Sequence, residues 1–158
     1  MIENEINARA SLLDRLIDSE PGHSHESVQY TLIDFRQIRV CVIRDLENLL
    51  NSRRNITRLP PKYREAGRSL LKYGLKDFTT TSPNDPQALK TIGQEIEKSI
   101  AVFEPRLKNV RVELEIGEQK EGILSFRISG LLVVDPIREP VEFDTYYDIS
   151  KKAYVVTG

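Results

Sequence analysis

Hydrophobic positions along the chain follow two periods, one after the other. In 4–18, Ile6, Leu12, Leu13, Leu16 and Ile17 form a helical stripe, with Asn4, Arg9, Asp14 and Arg15 outside it. This predicts an amphipathic N-terminal helix, peripheral to the rest, which "DSEPGHSHES" stops with Pro21 and Gly22. From 26 to 52 neither Gly nor Pro intervenes. Val28, Leu32, Phe35, Ile38, Val42, Leu46 and Leu49 recur every three or four residues, with Ile43 and Leu50 widening the stripe. The pattern predicts a core helix about 39 Å long, although the β-branched "VCVI" at its middle is weak helix chemistry. "RLPPKYR" breaks the chain, a short helical piece through "EAGRSLLKYG" ends near Gly74, and "TTTSPNDP" is loop. Asp85 before Pro86 is an N-cap with proline at the first helical position. The helix it opens turns Leu89, Ile92, Ile96, Ile100 and Phe103 inward and ends at Glu104, because Pro105 disfavours helical geometry in the residue before it.

The period then becomes two. Val110, Val112, Leu114 and Ile116 alternate with Arg111, Glu113 and Glu115. "EQKEG" is a turn, "ILSFRISGLLVV" a second strand, "DPIREP" a second turn, and "VEFDTYYDIS" a third strand with Val141, Phe143, Thr145 and Tyr147 on one face. "KKAYVV" is a short fourth. About four helices followed by four strands make an α+β fold with a mainly antiparallel sheet, in a single domain over 1–158.

Composition narrows the class. With 39% hydrophobic and 30% charged residues the chain can bury a core and is not a disordered polymer. No apolar run reaches the roughly 20 residues that span a bilayer. The acidic amphipathic start lacks the basic and apolar regions of a secretion signal, so a cytoplasmic protein without membrane insertion is expected. One cysteine, Cys41, lies in an apolar run and reads as a buried inert thiol. The net charge of −1 conceals a basic block. Between 51 and 76, eight Lys and Arg face the single Glu65, a local charge of +7. Such a block is a solvated face, a contact for an acidic protein surface, or a nucleic-acid patch. For the last, it offers only Tyr63 and Tyr73 as stacking rings and no recognisable motif.

Little of the sequence suggests catalysis or a cofactor. His23 and His25 fall short of a metal site. There is no phosphate loop and no nucleophile arrangement. Glu104 and Arg106 flank Pro105 where helix gives way to strand. They are a local ion pair, a catalytic carboxylate with its arginine, or a latch projecting both side chains toward a partner. Glycoside hydrolysis needs a second carboxyl group and a protonated acid. The permanent charge of Arg106 favours the ionised carboxylate, the wrong form for that role.

The ordered segments "SLLDRLIDSEP", "IRDLENLLNSRR", "LLKYGLKDF", "FEPRLKNVRVELE" and "VEFDTYYDI" resemble the TssE family. These are baseplate subunits of the bacterial type VI secretion system, related to the gene-25 wedge protein of contractile phage tails. The resemblance runs from about residue 11 to 149. It departs at Lys76, where the family's usual residue after "YGL" is proline. It implies a structural component that links the wedge to the first sheath layer and templates sheath assembly. The expected partners are TssF and TssG in the wedge and the TssB–TssC sheath, in a machine docked at the inner membrane. Under it, Glu104, Pro105 and Arg106 attach the chain to the wedge core. Arg53, Arg54 and Arg58 are expected to meet an acidic partner face, and the strand edge at Tyr154 and Val155 to accept a sheath strand. The phage relative was once called a lysozyme, which keeps a peptidoglycan-degrading enzyme as the alternative, beside a nucleic-acid binder.

Overall fold

A computed structural model describes residues 8–9, 16, 22, 32–57, 60, 62–63, 65–78, 85–114, 123–135 and 137–158. Two short strands, β1 (Ala8–Arg9) and β2 (Leu32–Ile33), pair antiparallel. The first long helix, α1, spans Phe35–Asn51 and is therefore shorter than its hydrophobic stripe predicts, about 25 Å. Its start is set by a capping box. The Asp34 carboxylate accepts from Gln37 N at 2.7 Å, and Asp34 N donates to Gln37 Oε1 at 3.0 Å. Leu32, counted into the helix from its spacing, and Ile33 beside it are extended before that cap. Of the expected N-terminal helix, Ala8 and Arg9 lie in a strand and Leu16 is helical and exposed; the remainder falls outside the described residues. Among the described residues there are two α-helices rather than about four.

The expected short helix at "EAGRSLLKYG" is two 3-10 turns, Glu65–Arg68 and Leu70–Lys72. Ser69 divides them: its hydroxyl donates to Ala66 O and its oxygen accepts from Leu71 N. The chain then folds back at Gly74, whose φ of 95° suits glycine, and a Cβ there would lie 2.3 Å from Ser52 O. This close approach lets Arg53 and Leu75 bridge, with Arg54 N donating to Leu75 O and Leu75 N to Ser52 O. The departure at Lys76 leaves the turn intact.

The second helix, α2 (Pro86–Phe103), has the anticipated Asp85 cap, and its last turn closes on Glu104. Four strands follow in the order of the chain, all antiparallel: β3 (Leu107–Leu114), β4 (Ile123–Val134), β5 (Ile137–Asp148) and β6 (Ala153–Thr157). In β3 one extra residue intervenes between Lys108 and Arg111, with Asn109 at φ 53°. That bulge brings Leu107 onto the same inner face as Val110, Val112 and Leu114. Opposite it stands Gly130, where a Cβ would come 3.1 Å from Lys108 O.

"DPIREP" is not a turn throughout. Val134 pairs with Ile137, so the reversal takes two residues, and Pro140 lies within β5, opposite Leu131. It is tolerated because β6 covers only Asp144–Asp148, leaving β5 an edge at Pro140. The core sits between one sheet face and the two helices. Ile38, Val42, Leu46 and Leu49 of α1 and Leu89, Ile92, Ile96 and Ile100 of α2 are buried there with Phe126, Ile128, Val141 and Phe143. Cys41 is half-buried on α1 rather than enclosed. No helix among the described residues is long and apolar enough to cross a membrane.

Candidate functional site

The corner between α2 and β3 is built from the helix end outward. Glu104 N still donates to Ile100 O at 2.8 Å, Pro105 turns the chain, and Leu107 N returns to Glu104 O at 3.1 Å. Arg106 O accepts from Val133 N at 2.8 Å, which ties the corner to β4. The Glu104 side chain points inward and is 5% exposed. Arg106 grips it with two bonds, Nε to Oε1 at 2.7 Å and Nη2 to Oε2 at 2.5 Å, while Arg106 N adds a third at 3.2 Å. The same Nη2 reaches Asp45 Oδ2 of α1 at 2.5 Å, and Arg44 closes on Asp45 Oδ1 at 2.9 Å. Burial works against the guanidinium charge, but the bond and charge of Glu104, then those of Asp45, outweigh it and raise its pKa. Tyr73 stands beside this cluster, edge-on to Phe103. Burial first, then the charges of Asp45 and Glu104, raise its phenol.

The expectation that both side chains project from the corner is therefore corrected. Both Glu104 oxygens are held by Arg106 inside the fold, as an ion pair between helix end, strand start and α1. The exposed residue of the three is Pro105. The same geometry bears on the lysozyme alternative: both Glu104 oxygens are engaged by Arg106 inside the fold rather than turned to an open cleft.

Of the three arginines expected to meet an acidic partner face, the two described ones are placed differently. Arg54 is half-buried and structural: Nε donates to Gly74 O, Nη1 meets Glu95 at 3.3 Å and Nη2 donates to Ser99 Oγ at 3.0 Å. Arg53 is exposed and reaches Asp77 at 3.2 Å. Arg58 lies outside the described residues, as do His23 and His25.

The edge at Tyr154 and Val155 is not an open row. Tyr154 N donates to Asn51 Oδ1 at 2.8 Å, Tyr154 O accepts from Asn51 Nδ2 at 2.9 Å, and Val156 N donates to Glu47 Oε1 at 3.2 Å. Helix α1 thus covers the outer side of β6. Tyr154 is buried and only Val155 faces outward. The opposite edge is treated alike, with Val112 N of β3 donating to Glu97 Oε1 of α2 at 2.8 Å. The sequence reading missed Asp45, Glu47, Asn51, Glu95 and Glu97. One signal was present. Glu47 and Asn51 are four apart on one helix face, about 6 Å of rise, and Tyr154 and Val156 are two apart on a strand, about 6.7 Å.

The protein-family model described as "Baseplate wedge protein gp25" matches residues 36–137. No curated protein matches. Among solved structures, a chain of "The baseplate complex from the type VI secretion system" is similar at a TM-score of 0.48 and 19% identity, over 70% of this chain and 94% of that one. The family match takes in α1, the basic block, α2, the charged corner and β4, more than half of the sequence, and so the chain belongs to the gp25 family of baseplate wedge proteins.

Proposed function

We propose that this protein is a non-enzymatic structural subunit of a contractile secretion machine. It joins the wedge to the first layer of the sheath on the cytoplasmic side of the membrane. The observation that carries the reading is the family match over 36–137. The charged corner supports it, because three chain segments converge there through Arg106: the end of α2, the start of β3 and Asp45 of α1. A cross-braced corner holds Pro105 rigidly at the surface, which suits an attachment point whose geometry must survive sheath contraction. TssF and TssG are the proposed wedge partners and the TssB–TssC sheath the proposed distal one.

Co-purification of the tagged chain with TssF and TssG tests the reading. The expected result is a stable ternary complex that Pro105→Glu weakens without loss of folding. Absence of any complex with the wild-type chain overturns it. Peptidoglycan turnover that disappears in Glu104→Gln would instead establish the enzymatic alternative.

A further inference from the structure

The described residues between Arg53 and Tyr73 have a frame fixed to the core and apolar side chains turned away from it. The frame is the bridge between Arg53 and Leu75, the Arg54 clamp on Gly74, Glu95 and Ser99, and Lys72, whose Nζ donates to Thr57 O at 2.5 Å. Neither 3-10 turn contributes a buried residue. Yet Ile56 is 97% exposed, Leu70 86%, and Leu71 and Tyr63 52% each. An open groove of about 450 Å³ lies between the two limbs, lined by Arg53, Asn55, Ser69, Leu70, Leu71 and Tyr73. Large aliphatic side chains held out on a rigid frame mark a contact surface rather than a loose loop.

We propose that this groove seats an acidic segment of another baseplate protein, one that carries at least two large apolar side chains. The inference rests on the baseplate reading and adds the chemistry of one contact to it. Charge selects the occupant: the described residues from 53 to 77 set Arg53, Arg54, Lys62, Arg68, Lys72 and Lys76 against Glu65 and Asp77, and Arg53 itself lines the groove. The anchors Leu70, Leu71 and Ile56 require apolar partners and offer nucleic-acid bases no ring to stack on. Of the two tyrosines, Tyr73 is committed edge-on to Phe103, which leaves Tyr63 alone with Lys62 over its face at 4.9 Å. A protein segment with interleaved carboxylates and apolar groups satisfies both features, whereas a phosphate backbone satisfies one.

Hydrogen exchange on the full-length chain, alone and within the isolated baseplate complex, tests this beside zero-length carbodiimide crosslinking. The amides of 55–57 and 70–72 should exchange at least about tenfold more slowly in the complex. Lys62 or Lys72 should crosslink to an Asp or Glu of a neighbouring subunit. Leu70→Asp with Leu71→Asp, both at exposed positions, should fold normally and weaken association about tenfold or more. Unchanged exchange at these amides in an intact complex overturns the proposal and leaves the baseplate reading standing. Wild-type association by the folded double variant does the same, and so does protection produced by duplex DNA alone. A chain that enters no baseplate complex overturns the reading beneath it.

Discussion

At the residue scale the centre of the molecule is Arg106. Its side chain is 20% exposed and joins two carboxylates, those of Glu104, 5% exposed, and Asp45, 27% exposed. Removing one partner of a buried pair leaves the other charged and desolvated, which costs more than the pair itself contributes. Arg106→Ala is therefore expected to lower stability by about 3–5 kcal/mol, measured by urea unfolding. Replacing both Glu104 and Arg106 by apolar residues of similar size should cost less than the single change. An Arg106→Ala protein as stable as wild type would show that the pair is not buried in solution. The motif was legible in the sequence as a charged pair around a proline, but its direction was not. That is fixed by Asp45, sixty-one positions earlier, and no local spacing encodes it. A second expectation concerns Tyr154, whose phenol is raised by burial first and then by Tyr147, 4.6 Å away between ring centres. The folded state holds this proton more tightly than the unfolded chain, whose tyrosines titrate near about 10. Its contribution is complete below that pH and is lost as pH rises beyond it. Tyr154→Phe should flatten the alkaline fall in melting temperature above about pH 10; an unchanged slope would contradict the burial of this ring.

At the scale of elements, α1 and α2 each do two things. Their apolar stripes fill the core, and polar side chains, Glu47 and Asn51 of α1 and Glu97 of α2, bond to an outer strand of the sheet. The stripes were readable because hydrophobic period survives in a single sequence. The bonding side chains were not, since Glu47, Asn51 and Glu97 look like ordinary solvated positions until a strand is placed beside them. The start of α1 shows the same division. Its stripe continues backward through Leu32 and Val28, so period alone overruns, and the Asp34 and Gln37 capping box decides the boundary. Asn51 makes both bonds to the Tyr154 backbone. Asn51→Ala should therefore cost about 1–2 kcal/mol and speed exchange of the Tyr154 amide more than that of Val155. Val155 alternates with Tyr154 and Val156, so its N–H turns toward β5. Equal effects on the two amides would mean that the edge opens as a whole.

For the whole molecule, the proposed sheath contact, if made through a strand, requires free backbone at an edge of the sheet. On the outer edges, the amides of Tyr154 and Val156 in β6 are taken by α1 and that of Val112 in β3 by α2. Among the described residues, β6 pairs with β5 only from Asp144 to Asp148, and the first half of β5, from Ile137 to Phe143, has no partner strand on that side. Along β5 the residues facing β6 are Asp144, Tyr146 and Asp148, partners of Thr157, Val155 and Ala153. By alternation Arg138, Pro140 and Glu142 turn their backbone groups to the same side, where Gly158 lies close to Glu142 O. Glu142 O accepts from Arg39 Nη2 at 3.1 Å, and Pro140 has no N–H to give. An incoming strand is left the amides of Arg138 and Glu142 and the carbonyls of Arg138 and Pro140. That is enough to set a register and too little to drive indiscriminate pairing. Arg138→Pro removes one of these amides without touching the β4 ladder. It should leave the melting temperature within a few degrees and the association with TssF and TssG intact, while slowing sheath initiation. Glu139→Pro, whose nitrogen faces β4, should instead unfold the hairpin. Sheath assembly at the wild-type rate on a folded Arg138→Pro protein would exclude this edge as the template.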